Sequence, residues 1–97
     1  MLVEFLDSAK SDFEEAANYY EGQSASLGVE FAAEVRRTIQ RIVQLPHGWQ
    51  KLSKRTRRCR LKRFPYGIID QVRQDKILIV GIMHMRRSPA AWQSRLN

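Results

Sequence analysis

One cysteine, Cys59, stands among the 97 residues. That excludes an intrachain disulfide and suits a reducing compartment. No spacing of Cys and His fits zinc, and no glycine-rich loop is present to cradle phosphates. Nothing therefore calls for a metal or a cofactor. No apolar run approaches the roughly 18–20 residues that span a bilayer. The opening residues Met1-Leu2-Val3-Glu4-Phe5 lack the basic region and apolar stretch of a secretory leader. The expectation is a cytoplasmic protein with no membrane association.

Acid is scarce in one half only. Residues 1–50 carry 4 basic and 8 acidic side chains, whereas residues 51–97 carry 13 basic and 2 acidic. The overall charge is +7. Such asymmetry points the second half toward a polyanionic or acidic partner. Lys51, Lys54, Arg55, Arg57, Arg58, Arg60, Lys62 and Arg63 crowd one stretch without any acid. The stretch reads either as a solvated face or as a contact surface for phosphates or an acidic protein, and phosphate contacts would be strongly salt-dependent.

What is present suits one folded domain over 1–97, with 43% hydrophobic residues. Val3 to Leu6 forms a short opening strand. Asp7 or Ser8 can cap a helix. Its apolar face is Ala9, Phe13, Ala16, Ala17 and Tyr20, and Gly22 stops it. A second helix runs from about Ser26, with Leu27, Phe31, Val35, Ile39 and Ile42 at helical spacing, until Pro46 and Gly48 end it. So short a link folds the two helices into an antiparallel hairpin. Cys59 and Leu61 alternate with Arg60 and Lys62 as in a half-exposed strand. Pro65-Tyr66-Gly67 reads as a turn, Ile68 to Arg73 as a strand, and Gln74-Asp75 as a tight hairpin. Ile77 to Met83 is a continuous apolar run, hence a strand buried on both faces. Ser88-Pro89 introduces a short terminal helix or turn. The fold class is α+β: an N-terminal helical hairpin packed on a small, mainly antiparallel β-sheet.

This order, with its residues, resembles the ParE/RelE toxin superfamily of type II toxin–antitoxin systems. The resemblance is carried by Asp12-Phe13-Glu14-Glu15-Ala16-Ala17-Asn18-Tyr19-Tyr20, by Leu27-Gly28 with Phe31, by Pro46, by Arg63-Phe64-Pro65-Tyr66 before Ile68-Ile69, and by His84-Met85-Arg86-Arg87-Ser88-Pro89 with Trp92 and Arg95. The ending is closer to the ParE branch. The resemblance implies a RelE-like fold and a toxin that poisons DNA gyrase and is neutralised by a cognate antitoxin. Members of the RelE branch instead cut mRNA on the ribosome. A third reading is a non-toxic or decayed nucleic-acid-binding module. Asp70 departs from the family, where an aromatic or apolar residue is usual, and is expected at a sheet edge or facing a basic neighbour.

Candidate sites follow. Arg60, Lys62, Arg63, Arg86, Arg87, Trp92 and Arg95 form the expected target-binding surface, since Arg and Trp are frequent anchors. Trp92 can equally close the core. A ribonuclease would need a base, an acid and cations around the developing phosphorane charge. His84, Tyr66, Arg63, Arg86 and Lys62 are the residues for that work, although His84 can also be a hydrogen-bonding residue at a strand end. No carboxylate pair is evident, and Cys59 reads as a packing residue. These absences favour a binding poison over an enzyme. The resemblance places the antitoxin's C-terminal segment on a groove partly formed by Phe31, Val35, Ile39 and Ile42.

Overall fold

The computed structural model describes residues 1–96. Strand β1 (Leu2–Phe5) leads into helices α1 (Asp7–Gln23) and α2 (Leu27–Gln44). Strands β2 (Gln50–Lys51), β3 (Thr56–Arg60), β4 (Tyr66–Arg73) and β5 (Lys76–His84) follow, then a short helix α3 (Ala90–Gln93) and a single 3-10 turn, Ser94–Leu96. The sheet order is β1-β5-β4-β3-β2, with β1 parallel to β5 and every other pair antiparallel. The α+β expectation holds: the helical hairpin lies on one face of a mainly antiparallel sheet.

Helix ends differ from the sequence reading. Leu6, not Asp7 or Ser8, precedes α1, and no side chain caps it. Gly22 lies inside the helix. The left-handed residue is Ser26, at φ 72°, and the turn there is fastened by α1 itself. Glu21 accepts hydrogen bonds from Ser26 N and Gly28 N, each at 2.9 Å. These satisfy backbone donors at the start of α2 that have no helical partner. Gly28 is required by packing, because a Cβ there would sit 2.6 Å from the Ala17 carbonyl oxygen.

The turn assigned to Pro65-Tyr66-Gly67 ends earlier: Tyr66 and Gly67 already belong to β4. β5 lies between β1 and β4, as its apolar run requires. Its alternation slips once. Ile77, Ile79 and Ile82 face the main core under the hairpin, while Leu78, Val80 and Met83 face a second cluster on the other side. Ile69 pairs with Gly81 and Asp70 with Ile79, so Val80 is an extra residue without a partner on β4. This β-bulge shifts the side-chain phase by one.

Asp70 sits beside that bulge on the middle strand, so the edge expectation is corrected. Its cross-strand partner is indeed basic, Arg57. Arg57, however, donates to the carbonyls of His47 (3.1 Å) and Trp49 (3.2 Å). Asp70 is fully buried and both carboxylate oxygens lack a partner. Burial raises its pKa to about 6, against a smaller opposing effect of Arg57. A carboxyl that binds its proton more tightly when folded stabilises the fold at low pH. That contribution disappears as pH rises from the unfolded value near 4 through 6. Asp70→Asn should therefore gain stability relative to the parent as pH rises, by about 2 kcal/mol at pH 7.5 compared with pH 4. Urea unfolding of both proteins across that range measures it. A difference that does not change with pH would contradict it.

Candidate functional site

The C-terminal surface depends on one buried ion pair. β1 ends at Phe5, and the Leu6 N–H donates to the Ile79 carbonyl at 3.0 Å as the chain turns into α1. Beyond Ile79 the outer edge of β5 therefore has no neighbouring strand among the described residues. Asp12 of α1 and Arg95 of the terminal turn occupy that edge. Arg95 donates to both Asp12 carboxylate oxygens, at 2.6 and 3.0 Å, and to the Val80 carbonyl at 3.1 Å. Asp12 Oδ2 also accepts from Ile82 N at 3.1 Å. Gly81 leaves the space: a Cβ there would be 3.1 Å from Arg95 Nη1.

This pair fixes where Trp92 goes. Trp92 is buried against Ile69, Leu78, Val80 and Met83. Ser88 Oγ accepts from Ala90 N at 3.3 Å where the tail begins its helix. Both Trp92 and Arg95 were expected on the target surface. Trp92 is instead buried, closing the core on this face, and the half-buried Arg95 is engaged by Asp12, so both anchor the tail.

The other expected residues divide by position. Arg60, Lys62, Arg63, Arg86 and Arg87 are exposed. Arg63 donates to Glu30 at 2.8 Å and its guanidinium lies 5.4 Å from the Phe64 ring centre. It is therefore turned toward α2 and partly neutralised. His84, at the end of β5, meets Tyr66 edge-on at 5.5 Å between ring centres. His84 Nδ1 accepts from Arg86 N at 3.1 Å, which puts the ring proton on Nε2. Burial raises the Tyr66 phenol above its ordinary pKa, so it stays protonated near neutrality. Of the possible ribonuclease residues, Tyr66 and His84 touch. Arg63 is tied to Glu30, and the backbone of Lys62 to Glu34. Cys59 is buried, and desolvation raises its thiol pKa. That suits packing rather than nucleophilic work.

A family model described as the ParE toxin of the type II toxin–antitoxin system parDE matches residues 3–89. The chain belongs to the ParE toxin family. Its fold is similar to a solved structure of a chromosomal ParDE toxin–antitoxin system from P. aeruginosa, with a TM-score of 0.76 and 16% identity over 87% of this chain and 95% of that one. No curated protein sequence matches it. Among the described residues no helix of this ParE-family chain is long and apolar enough to cross a membrane.

A second surface of the toxin lies between α1 and α2 near the end of β1. It is a groove of about 450 Å³, lined by Phe5, Phe13, Ala32, Val35 and Ile39 and rimmed by Lys10, Glu14, Arg36 and Gln40. Phe31 and Ile42, expected to contribute to it, are fully buried. Phe31 packs with Phe13, Tyr20, Phe64 and Tyr66 at centroid separations of 5.1–6.1 Å. Val35 is buried in the core as well, so of the α2 stripe Ile39 opens most onto the groove.

Sequence reasoning missed two buried acids. Asp12 lies three residues after Ala9 and four before Ala16, within the inward stripe, and that spacing was its signal. Glu34 lies three residues after Phe31. Its carboxylate accepts from Lys62 N at 2.7 Å and Arg37 Nη2 at 3.0 Å. Burial alone would raise its pKa, but these bonds outweigh burial and hold it below the usual carboxylate value. Glu34 thereby fixes the loop that presents Lys62 and Arg63. Glu34→Ala should destabilise the toxin by about 1–3 kcal/mol, because the part-buried Lys62 N–H loses its charged acceptor. Amide exchange should accelerate most at Lys62. Unchanged protection there would show that the loop is held by something else.

Proposed function

We propose that this chain is a toxin that binds DNA gyrase and stalls it on cleaved DNA, with no chemistry of its own, and that a cognate antitoxin neutralises it. Membership of the ParE family over residues 3–89 carries this reading. The exposed cations Arg60, Lys62, Arg86 and Arg87 supply the target contacts. None of the four forms a salt bridge with a described acid. The buried Trp92 and the half-buried Arg95 hold the tail that carries Arg86 and Arg87. The groove at Val35 and Ile39, with Lys10 and Arg36 on its rim, suits an apolar antitoxin segment bearing acidic residues. The chromosomal ParDE system of P. aeruginosa, a toxin–antitoxin system of similar fold, is a precedent for such a partner.

The ribosome-dependent ribonuclease remains the second reading on one observation, the Tyr66–His84 contact. A protonated phenol beside an imidazole can act as an acid–base pair. Against it stands Arg63, which is engaged by Glu30 and not free to stabilise a phosphorane.

Plasmid supercoiling by purified gyrase tests the proposal. Added toxin should inhibit the reaction and leave linear, protein-bound DNA, and prior addition of antitoxin should restore supercoiling. Replacing Arg86 and Arg87 together by Ala should raise the half-inhibitory concentration about tenfold or more, since about 1.4 kcal/mol of binding corresponds to that factor. Unchanged supercoiling at large excess of folded toxin would overturn the gyrase target. In that event, ribosome-dependent cleavage lost in His84→Ala would establish the second reading.

A further inference from the structure

On the sheet face away from the helical hairpin lies a smaller pocket of about 170 Å³. Its floor is apolar, made by Ile69, Met83 and Trp92. Its polar lining includes Arg58 from β3, His84 from the end of β5 and Arg87 beyond it, and no acidic side chain lines it. Two segments distant in sequence, β3 and the end of β5 with the residues after it, bring cationic or donor groups to one small space.

Two details give this lining a direction. Arg58 donates through Nη2 to Gln50 Oε1 at 3.0 Å, but its Nε–H is buried and has no partner among the described residues. An unpaired buried donor on a cation is costly, and natural structures usually leave such a group for a ligand or water. His84 gives its Nδ1 to the Arg86 amide, so Nε2–H is left as a donor. The Arg58 stem reaches its position across Gly67, where a Cβ would lie 2.9 Å from Arg58 Cγ. Neither Arg58 nor Arg87 forms a salt bridge with a described acid.

We propose that this pocket binds one phosphate group, and that its occupant is a backbone phosphate of nucleic acid. Arginine forks match tetrahedral oxyanions, and charged hydrogen bonds are the strong ones. The Trp92 floor offers an apolar surface to a sugar or base beside the phosphate. The charge pattern favours a polyanion over an isolated carboxylate: Lys51, Lys54, Arg55 and Arg60 are exposed in the acid-free run of sequence that holds Arg58. A contact of this kind positions a nucleic acid without reading its sequence. The inference deepens the proposed target surface, with which it shares Arg87. It is measured without gyrase, so either can fail alone.

The test is titration of the purified toxin with inorganic phosphate at constant ionic strength, followed through the ¹H–¹⁵N signals of Arg58 Nε–H and His84 Nε2–H. Phosphate should move both saturably while chloride does not, and a short oligodeoxynucleotide should compete. Arg58→Gln and Arg87→Gln should each weaken phosphate binding about tenfold or more. Arg87 is exposed, so its variant keeps the test available if the other misfolds. Equal responses to phosphate and chloride, or unchanged affinity in the folded variants, would overturn the site. Phosphate binding with which no oligonucleotide competes would overturn the nucleic-acid occupant.

Discussion

β5 has a full-length neighbour on one side and half a neighbour on the other, and the Asp12–Arg95 pair makes up the missing half. The carboxylate takes the Ile82 N–H and the guanidinium takes the Val80 carbonyl, groups that a longer β1 would have bonded. The pair itself is bidentate and largely excluded from water, with side-chain exposures of 7% and 16%. Removing either member of such a pair leaves the other charged and buried, which commonly costs about 3–5 kcal/mol. One interaction thus joins the first helix, the edge of the sheet and the chain's end.

The consequences extend across the far face. With Arg95 fixed, Trp92 covers Ile69, Leu78, Val80 and Met83, and the segment carrying Arg86 and Arg87 is held beside His84. The toxin then presents two different faces. An apolar groove lies between the helices, and a cationic face lies over β3 and the tail. The acidic first half is knitted to the basic second half through Glu34 on the Lys62 amide and Glu30 on Arg63. The acids of α2 therefore hold the loop at 62–63 and neutralise Arg63, and leave the cations of Arg60, Lys62, Arg86 and Arg87 to a partner.

The helices and long strands were legible because apolar residues recur with the periods of buried elements. Ile77 to Met83 announced an interior strand in the same way. The bulge at Val80 was not legible: a phase slip inside a run that is apolar throughout leaves no mark in the sequence. β2 is only two residues long and too short to carry a period. Trp92 and Arg95 read as binding anchors because their types suit that role, whereas their burial depends on Asp12, 83 positions away from Arg95. Phe31, Val35 and Ile42 shared a stripe with Ile39, and only the packing of the hairpin on the sheet shows that the first three are buried and Ile39 lies at the groove. Asp70 departed from the family pattern in sequence, but its isolation in the middle strand required the sheet order.

The most direct test of this account is a double-mutant cycle on Asp12→Ala and Arg95→Ala, read by urea unfolding at neutral pH. If the pair organises the sheet edge and the tail, the single variants each lose several kcal/mol and the double variant loses far less than their sum. The coupling energy should be about 2 kcal/mol or more. Losses that add to within about 0.5 kcal/mol would mean that the two residues act independently, and the tail would then owe its position to something other than this ion pair.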